Sequence, residues 1–205
     1  TLRFYNTFPL SLPMANVRIL RSDVLSDNWY LLRNYTLEYT RSDGKVEVQK
    51  REVYDRGNGV VVLLYNREQR TVVLTRQFRL PTSLNGNPDG RLIEACAGLL
   101  EDEHPDDCVR REVEEETGYQ VRDVQKLMEV YMSPGVVTEI LHFYFAEYHP
   151  ERKVGKGGGH PDEQEDIEVL EMSFERALAM IDDGRIRDAK TIILLQQALI
   201  KGLFR

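Results

Sequence analysis

Apolar residues recur along the chain with two spacings, and these separate strands from helices. A β-strand is predicted where apolar and polar positions alternate, or where about four to eight apolar residues follow one another. Residues 29–41 alternate, with Leu31, Tyr35, Leu37 and Tyr39 on one side. The strands predicted on these grounds span residues 17–24, 29–41, 46–54, 60–65, 71–79, 92–96, 124–132, 137–148 and 167–172.

Three segments have the spacing of helices together with residues that begin or end helices. Pro105 suits a first helical position, because its missing N–H would have no partner there. Gly118 can take the left-handed conformation that ends a helix. Ser173 caps a second helix, which ends at Gly184, and residues 189–201 form a third. Strands mixed with a few helices predict an α+β fold, in which helices cover both faces of a mixed sheet.

The strands nearest the N-terminus form a group of their own. Residues 42–45 (SDGK) are a hairpin signal, so residues 15–56 are expected to form a small antiparallel sheet. Glycines on both sides of Asn58 mark the boundary to a main domain over residues 57–205. Residues 1–14 have no clear period and are expected to be an upstream extension or a vector-derived segment. Because so small a sheet is hard to stabilise alone, it should pack on its own domain or on a second subunit.

Composition narrows the class of protein further. The chain has 205 residues, 41% of them hydrophobic, and a net charge of −7. The negative charge argues against a nucleic-acid partner. The longest apolar run, residues 60–65, is far shorter than the roughly 18 residues of a membrane-spanning helix. Cys96 and Cys108 form neither a disulfide framework nor a zinc motif, and we expect a cytoplasmic protein.

The predicted helix over residues 105–117 carries an acidic stripe. Glu112, Glu115 and Glu116 stand at i, i+3 and i+4 and share one face, whereas Glu114 points elsewhere. Like charges at this spacing destabilise a helix by a few tenths of a kcal/mol, unless a cation binds to them. Mg²⁺ is usually held by one or two carboxylates together with substrate phosphates. On spacing alone, a metal site and a merely solvated acidic face remain about equally well supported.

The residues around this stripe match a longer motif. Residues 97–119 (AGLLEDEHPDDCVRREVEEETGY) resemble the Nudix box, G-x5-E-x7-R-E-U-x-E-E-x-G-U, in which U is a bulky apolar residue. Glu103 and Arg111 occupy motif positions in register with the acidic stripe. Gly98 lies five residues before Glu103, where the motif has six, and Ala97 takes the motif position. The chain is thus identified as a member of the Nudix hydrolase family, whose α/β/α sandwich agrees with the predicted α+β fold.

The resemblance implies a metal centre and a catalytic loop. By this resemblance Glu112, Glu116 and the backbone carbonyl of Ala97 bind Mg²⁺, with Mn²⁺ as the alternative ion. Glu115 has a catalytic role beside them, as a further metal ligand or a support for the others, and Arg111 orients the carboxylates. The polar, glycine-rich loop over residues 149–164, which we expect to be mobile, ends in an acidic run. There the resemblance makes Glu165 a metal ligand and Glu163 the general base.

Within the family the resemblance is strongest to the GDP-mannose pyrophosphatases, through residues 50–59, 76–79, 131–139, 165–169 and 186–191. It implies hydrolysis of a nucleoside diphosphate sugar, GDP-mannose to GMP and mannose 1-phosphate, by a homodimer with shared active sites. The alternatives are an ADP-ribose pyrophosphatase and a ligand-sensing Nudix domain without catalysis. The substrate-binding residues that it implies are Trp29, Lys50, Arg51, Glu52, Arg79, Glu139 and Lys190.

Overall fold

The structure, a computed structural model, describes residues 15–160 and 164–205. Ten strands, four α-helices and a single turn of 3-10 helix, Pro150–Arg152, are found there. The strands are β1 (Val17–Asp27), β2 (Leu31–Thr40), β3 (Val46–Asp55), β4 (Asn58–Asn66), β5 (Thr71–Phe78), β6 (Arg91–Glu94), β7 (Cys96–Leu100), β8 (Val124–Tyr131), β9 (Ile140–Glu147) and β10 (Glu168–Ser173). The helices are α1 (Leu80–Leu84), α2 (Pro105–Thr117), α3 (Phe174–Asp182) and α4 (Ala189–Ile200).

The chain divides into two compact units, and the first contains residues 15–58 and 131–140. Its three strands form an antiparallel sheet in the order β1-β2-β3, as the hairpin signal predicts. The later segment joins this unit through backbone hydrogen bonds, since Tyr54 N donates to Val136 O at 2.7 Å and Thr138 N donates to Tyr54 O at 3.2 Å. No local pattern of apolar and polar residues predicts this addition.

The second unit contains residues 59–130 and 141–205 and is built on a mixed sheet of seven strands. The main path of the sheet is β10-β5-β4-β9-β8, with β6 paired to β5 and β7 paired to β4. β4 and β9 run parallel, with Val60 opposite His142, whereas β4 and β5 run antiparallel. The predicted α+β class with a mixed sheet is therefore confirmed.

Alternate residues of β4 serve the two faces of this sheet, as the period of a strand requires. Val60, Val62 and Leu64 belong to a buried cluster with Val109 and Val113 of α2. Tyr65, on the opposite side of the pleat, makes edge contacts with Phe145 and Phe204, and Phe204 packs against Phe174 of α3. Because both faces are covered, β4 is apolar from residue 60 to residue 65, and this explains the continuous run in the sequence.

Three boundaries differ from those predicted. The segment after β5, predicted as a loop, holds the short helix α1, which buries none of its residues and so leaves no periodic signal. The strand predicted over residues 92–96 is divided, because β6 ends at Glu94 and a separate strand, β7, begins at Cys96. The predicted strand over residues 137–148 begins only at Ile140, because residues 137 and 138 pair with Tyr54 instead. No helix among the described residues is long and apolar enough to cross a membrane.

Candidate active site

Helix α2 presents the acidic stripe from a firmly anchored position. Its N-terminus is capped by His104, whose side chain accepts from Asp106 N at 3.3 Å, with Pro105 in the first turn. Its C-terminus is ended by Gly118 at φ 75°, the left-handed conformation that the sequence predicts. Cys108, Val109 and Val113 are fully buried, and this packing fixes the rotation of the helix.

Arg111 is surrounded by acidic side chains. Its guanidinium lies 2.6 Å from Glu103 Oε1, 2.9 Å from Glu112 Oε1 and 2.9 Å from Glu115 Oε2. Burial opposes the charge of Arg111, but its bonds and proximity to Glu103 and Glu112 outweigh burial and raise its pKa. Arg111 therefore offsets the repulsion along the stripe and fixes the orientation of Glu112 and Glu115, as the resemblance predicts.

Glu116 is a buried carboxylate without a cationic partner among the described residues. It is 1% exposed, and its Oε2 accepts from Ala97 N at 3.3 Å. Burial raises the pKa of Glu116 to about 8, and the charges of Glu112 and Glu165 add to this effect. An acid in such surroundings favours either a proton or a cation. The raised pKa also shows that Glu112, Glu116 and Glu165 lie in one electrostatic neighbourhood.

Glu165 is held by the glycine-rich loop. Its Oε2 accepts from His160 N at 3.0 Å, and a Cβ on Gly159 would collide with its carboxylate. The loop is also tied to the end of α2, since Gly158 N donates to Glu116 O at 2.9 Å and Gly159 N donates to Glu115 O at 3.0 Å. These glycines thus allow close backbone approach, a role that the sequence analysis did not assign to them. Glu163 lies outside the described residues.

The donor set suits a hard divalent cation. Carboxylate and carbonyl oxygens are the ligands that Mg²⁺ prefers. The burial of Glu116, which has no cation beside it among the described residues, is the observation that favours a positive charge here. Among the described residues, however, no three acidic, histidine or cysteine side chains converge as a complete metal site. A cation here would therefore draw on the Ala97 carbonyl and on other oxygens in addition to the glutamates.

A second polar cluster lies at the start of α4. Arg79 Nε donates to Glu94 Oε2 at 2.8 Å, and Lys190 Nζ donates to Glu94 Oε1 at 3.0 Å and to Asp188 Oδ1 at 2.6 Å. Arg79 and Lys190 were predicted from the resemblance, whereas Glu94 and Asp188 were missed. The signal for Glu94 was present, because a single acid stands between apolar residues of a predicted strand.

Comparison with known proteins decides the family. Residues 55–195 match the family model described as NUDIX domain, and residues 16–54 match the one described as GDP-mannose pyrophosphatase NudK N-terminal domain. The chain belongs to the NUDIX family. The family predicted from residues 97–119 is therefore confirmed, with Ala97 in place of the motif glycine.

Relatives of this NUDIX protein are similar over nearly their whole length. A GDP-mannose pyrophosphatase of Yersinia enterocolitica is 58% identical over 191 residues, which are 93% of this chain and 99% of the relative. One of Klebsiella pneumoniae is 56% identical over 188 residues, 92% and 94% of the two chains. A crystal structure of an ADP compounds hydrolase superposes with a TM-score of 0.69 at 18% identity, covering 94% of this chain and 98% of that one. The last similarity establishes the NUDIX fold alone.

The other predicted substrate residues of the NUDIX protein belong to its first unit. Trp29 is 71% exposed and makes an edge contact with Tyr30, at 6.3 Å between ring centroids. Arg56 lies over the Tyr30 ring at 5.4 Å, and its Nε is 3.4 Å from Glu139 Oε1. Trp29 and Glu139 therefore end a chain of contacts whose two middle members, Tyr30 and Arg56, the sequence analysis did not single out.

Lys50, Arg51 and Glu52 lie together on β3, with exposed side chains. Arg51 folds back along its own strand, where Nη1 donates to Lys50 O at 2.8 Å and Nη2 donates to Gln49 Oε1 at 2.6 Å. Successive strand residues point to opposite faces, so Arg51 faces away from its two neighbours. Within its own unit, Arg51 is thus an exposed cation without an acidic partner among the described residues.

Proposed function

We propose that this protein is a metal-dependent hydrolase that splits the diphosphate bond of a nucleoside diphosphate sugar, most specifically GDP-mannose, into GMP and mannose 1-phosphate. The names of relatives that share more than half of its residues support this substrate. The observation that carries the proposal is the buried Glu116 beside Glu112, next to the Ala97 backbone. A buried carboxylate whose pKa is raised to about 8 suits a site that is completed by a cation.

The metal in this proposal is Mg²⁺, with Mn²⁺ as a substitute. Glu112, Glu116, Glu165 and the carbonyl of Ala97 would hold it. When bound, such an ion neutralises the diphosphate oxygens and makes a bound water more acidic. Arg111 keeps the carboxylates of Glu112 and Glu115 in place, and Glu115 supports the metal ligands or joins them.

Two acidic residues at the end of the glycine-rich loop have different roles in the proposal, one in metal binding and one as a general base. Glu165 is assigned to the metal, supported by its electrostatic effect on Glu116. Glu163 is assigned as the general base that takes a proton from the attacking water. A general base must come within hydrogen-bond reach of that water, and a loop can provide this reach when substrate binds.

The substrate residues fall into two groups in the proposal. Arg79 binds the diphosphate, because a guanidinium can donate two parallel hydrogen bonds to phosphate oxygens. Trp29 stacks on the base, which agrees with its exposed ring. The residues that complete the nucleotide and sugar sites are Lys50, Arg51, Glu52, Glu139 and Lys190.

The protein is proposed to be a homodimer in which each subunit lends Arg51 to the active site of the other. Support comes from the first unit, whose three-stranded sheet exposes several large apolar side chains. A small sheet of this kind is stabilised when such side chains are covered. The exposed residues are Leu20, Val24, Leu25, Val46 and Val48. The cytoplasm is the proposed location, supported by two buried cysteines in the thiol form, Cys96 and Cys108.

A substrate panel with Mg²⁺ tests the function. It contains GDP-mannose, other GDP-sugars, ADP-sugars, ADP-ribose and dinucleotides, with Glu112→Gln as the inactive control. We expect the highest kcat/KM with GDP-mannose, releasing GMP and mannose 1-phosphate. A higher kcat/KM with ADP-ribose would show that the proposed substrate is wrong and that the proposed reaction, hydrolysis of a diphosphate bond, is right. Binding of nucleotide sugars without turnover of any of them would instead indicate a sensing domain.

A further inference from the structure

Glu94 is a buried carboxylate with a different cation on each oxygen. It lies on β6 and is 3% exposed. Its Oε2 accepts from Arg79 Nε at 2.8 Å, and its Oε1 accepts from Lys190 Nζ at 3.0 Å. A charge removed from water is tolerated when it is paired and hydrogen-bonded. Both oxygens are used here, so the carboxylate is fixed in position as well as neutralised.

The guanidinium of Arg79 is bound to Glu94 through Nε, whereas its two Nη groups are available to a ligand. Its side chain is 41% exposed, although Glu94 is almost inaccessible. Among the described residues neither Nη group donates a hydrogen bond, so the Nε bond to Glu94 is the only one its side chain makes there. A planar guanidinium held through Nε has a fixed direction for its two Nη groups. Such a pair of parallel donors matches the oxygens of a phosphate.

The surroundings place Arg79 close to the acidic stripe. Burial alone would lower the pKa of Arg79, but the charges of Glu94, Glu116 and Asp188 outweigh burial and raise it. Glu116 acts on Arg79 over a distance, because it forms no ion pair with Arg79. Arg79 therefore contacts the buried Glu94 and lies within electrostatic range of Glu116, which is assigned to the metal.

The far side of Glu94 is anchored by α4. Lys190 also binds Asp188, whose Oδ2 accepts from Thr191 N at 2.9 Å and from Thr191 Oγ1 at 2.7 Å. The same hydroxyl accepts from Ala95 N at 2.6 Å. The residue after Glu94 and the cation on its Oε1 are thus both anchored to the start of α4.

We propose that Glu94 is a positioning residue that aims the two Nη groups of Arg79 at the substrate diphosphate. The proposal rests on the proposed function, in which Arg79 binds that group. Glu94 itself contacts no substrate. It acts by fixing the direction of Arg79. Lys190 binds the other oxygen of Glu94, and Asp188 binds Lys190.

A double-mutant cycle tests this role. Glu94→Gln keeps the shape and removes the charge, and it is measured alone and together with Arg79→Ala. Hydrogen bonds to charged groups have strengths that correspond to about 10- to 100-fold in rate or affinity, so we expect a loss of this size in kcat/KM for GDP-mannose, mostly through KM. In the Arg79→Ala background the same change should cost several-fold less. Equal losses in both backgrounds would show a merely structural role and overturn the proposal.

Two further variants guard against misfolding and unrelated effects. Glu94→Asp keeps the charge but withdraws it by one methylene, and it should show the same dependence on Arg79 with a smaller change in melting temperature. Glu175→Gln is the matched control, because Glu175 binds Arg70 on the surface of the same unit. It should leave kcat and KM unchanged. A loss of kcat/KM in Glu175→Gln as large as in Glu94→Gln would count against a specific role of Glu94.

A binding measurement separates this proposal from the proposed function. Calorimetric titration with GDP and Mg²⁺ is run on the four proteins of the cycle. Suppose that the four GDP affinities show coupling between Glu94 and Arg79, but the wild type does not hydrolyse GDP-mannose. The positioning role then stands and the proposed function fails. If GDP-mannose is hydrolysed without coupling between the two residues, the function stands and the positioning role fails. A wild type that neither binds GDP nor hydrolyses GDP-mannose overturns both.

Discussion

The carboxylate of Glu112 occupies the space that a side chain at Gly98 would fill. A Cβ built on Gly98 would overlap the carboxyl carbon and Oε1 of Glu112, far inside van der Waals contact. Gly98 therefore permits Glu112, which the proposed function assigns to the metal, to lie directly against the β7 backbone. Two parts of the motif that are fourteen positions apart in the sequence are joined by this contact.

Gly98→Ala should disturb Glu112 and leave the fold in place. The added methyl group has to displace the carboxylate, so we expect kcat/KM to fall at least about tenfold and the requirement for Mg²⁺ to rise. Activity is measured across a Mg²⁺ titration. Gly135→Ala is the control, because nothing lies within 4 Å of a Cβ there. An unchanged Mg²⁺ profile in Gly98→Ala would show that Glu112 is not a metal ligand in this position.

Glu116→Gln should separate stability from metal binding. The substitution replaces a buried acid, whose charged form is unfavourable without a cation, by a neutral amide of the same shape, so the metal-free variant should melt no lower than the metal-free wild type. Mg²⁺ stabilises only a protein that binds it, so it should raise the melting temperature of the wild type and not that of the variant. Turnover should fall by orders of magnitude.

Thermal melts with and without Mg²⁺ provide this measurement, and Glu114→Gln is the matched control on the same helix. Glu114 is exposed and accepts from Gln120 Nε2 at 3.1 Å. Its replacement should preserve the Mg²⁺ effect. Near-normal turnover of Glu116→Gln would remove Glu116 from the metal site.

The two glutamates of the loop should differ in their response to metal. Glu165→Gln should weaken metal binding, so that added Mg²⁺ partly restores the rate. Glu163→Gln should lower kcat with little change in metal or substrate affinity, as expected when an interaction is made mainly in the transition state. Rates of both variants across a Mg²⁺ titration give the answer. If added Mg²⁺ restores the rate of Glu163→Gln and not that of Glu165→Gln, the two roles are exchanged. Full activity of both variants would exclude the loop from the site.

Shared active sites predict complementation between inactive subunits. Arg51→Ala and Glu112→Gln should each be nearly inactive as purified proteins. In a mixed dimer, one of the two sites receives both an intact Glu112 and an intact Arg51. We therefore expect activity to return when the two variants are mixed under conditions that allow subunit exchange.

Light scattering before and after mixing confirms the oligomeric state, and a mixture of Glu112→Gln with Glu116→Gln is the control. Both of those changes fall in the same group of metal ligands, so no mixed site is intact. A fully active monomer at micromolar concentration would refute the shared site.

Local spacing determined much of this protein. The limits of α2 followed from Pro105 and Gly118, and the stripe of Glu112, Glu115 and Glu116 followed from helical periodicity, because caps and periodicity act within a few residues of the chain. The continuous apolar run of β4 predicted a strand covered on both faces. The family followed from the same stretch, since its motif is one unbroken segment.

Tertiary structure decided the contacts between distant segments. Glu94 meets Arg79 and Lys190 only because β6 pairs with β5 and α4 begins beside β6, and no local period encodes that meeting. Residues 131–140 join the first unit through bonds to Tyr54. The glycines of the loop serve the end of α2, where their missing side chains allow the backbones to touch. Hydrogen-bond pairing and exclusion of volume act across space, so these relationships depend on the folded chain.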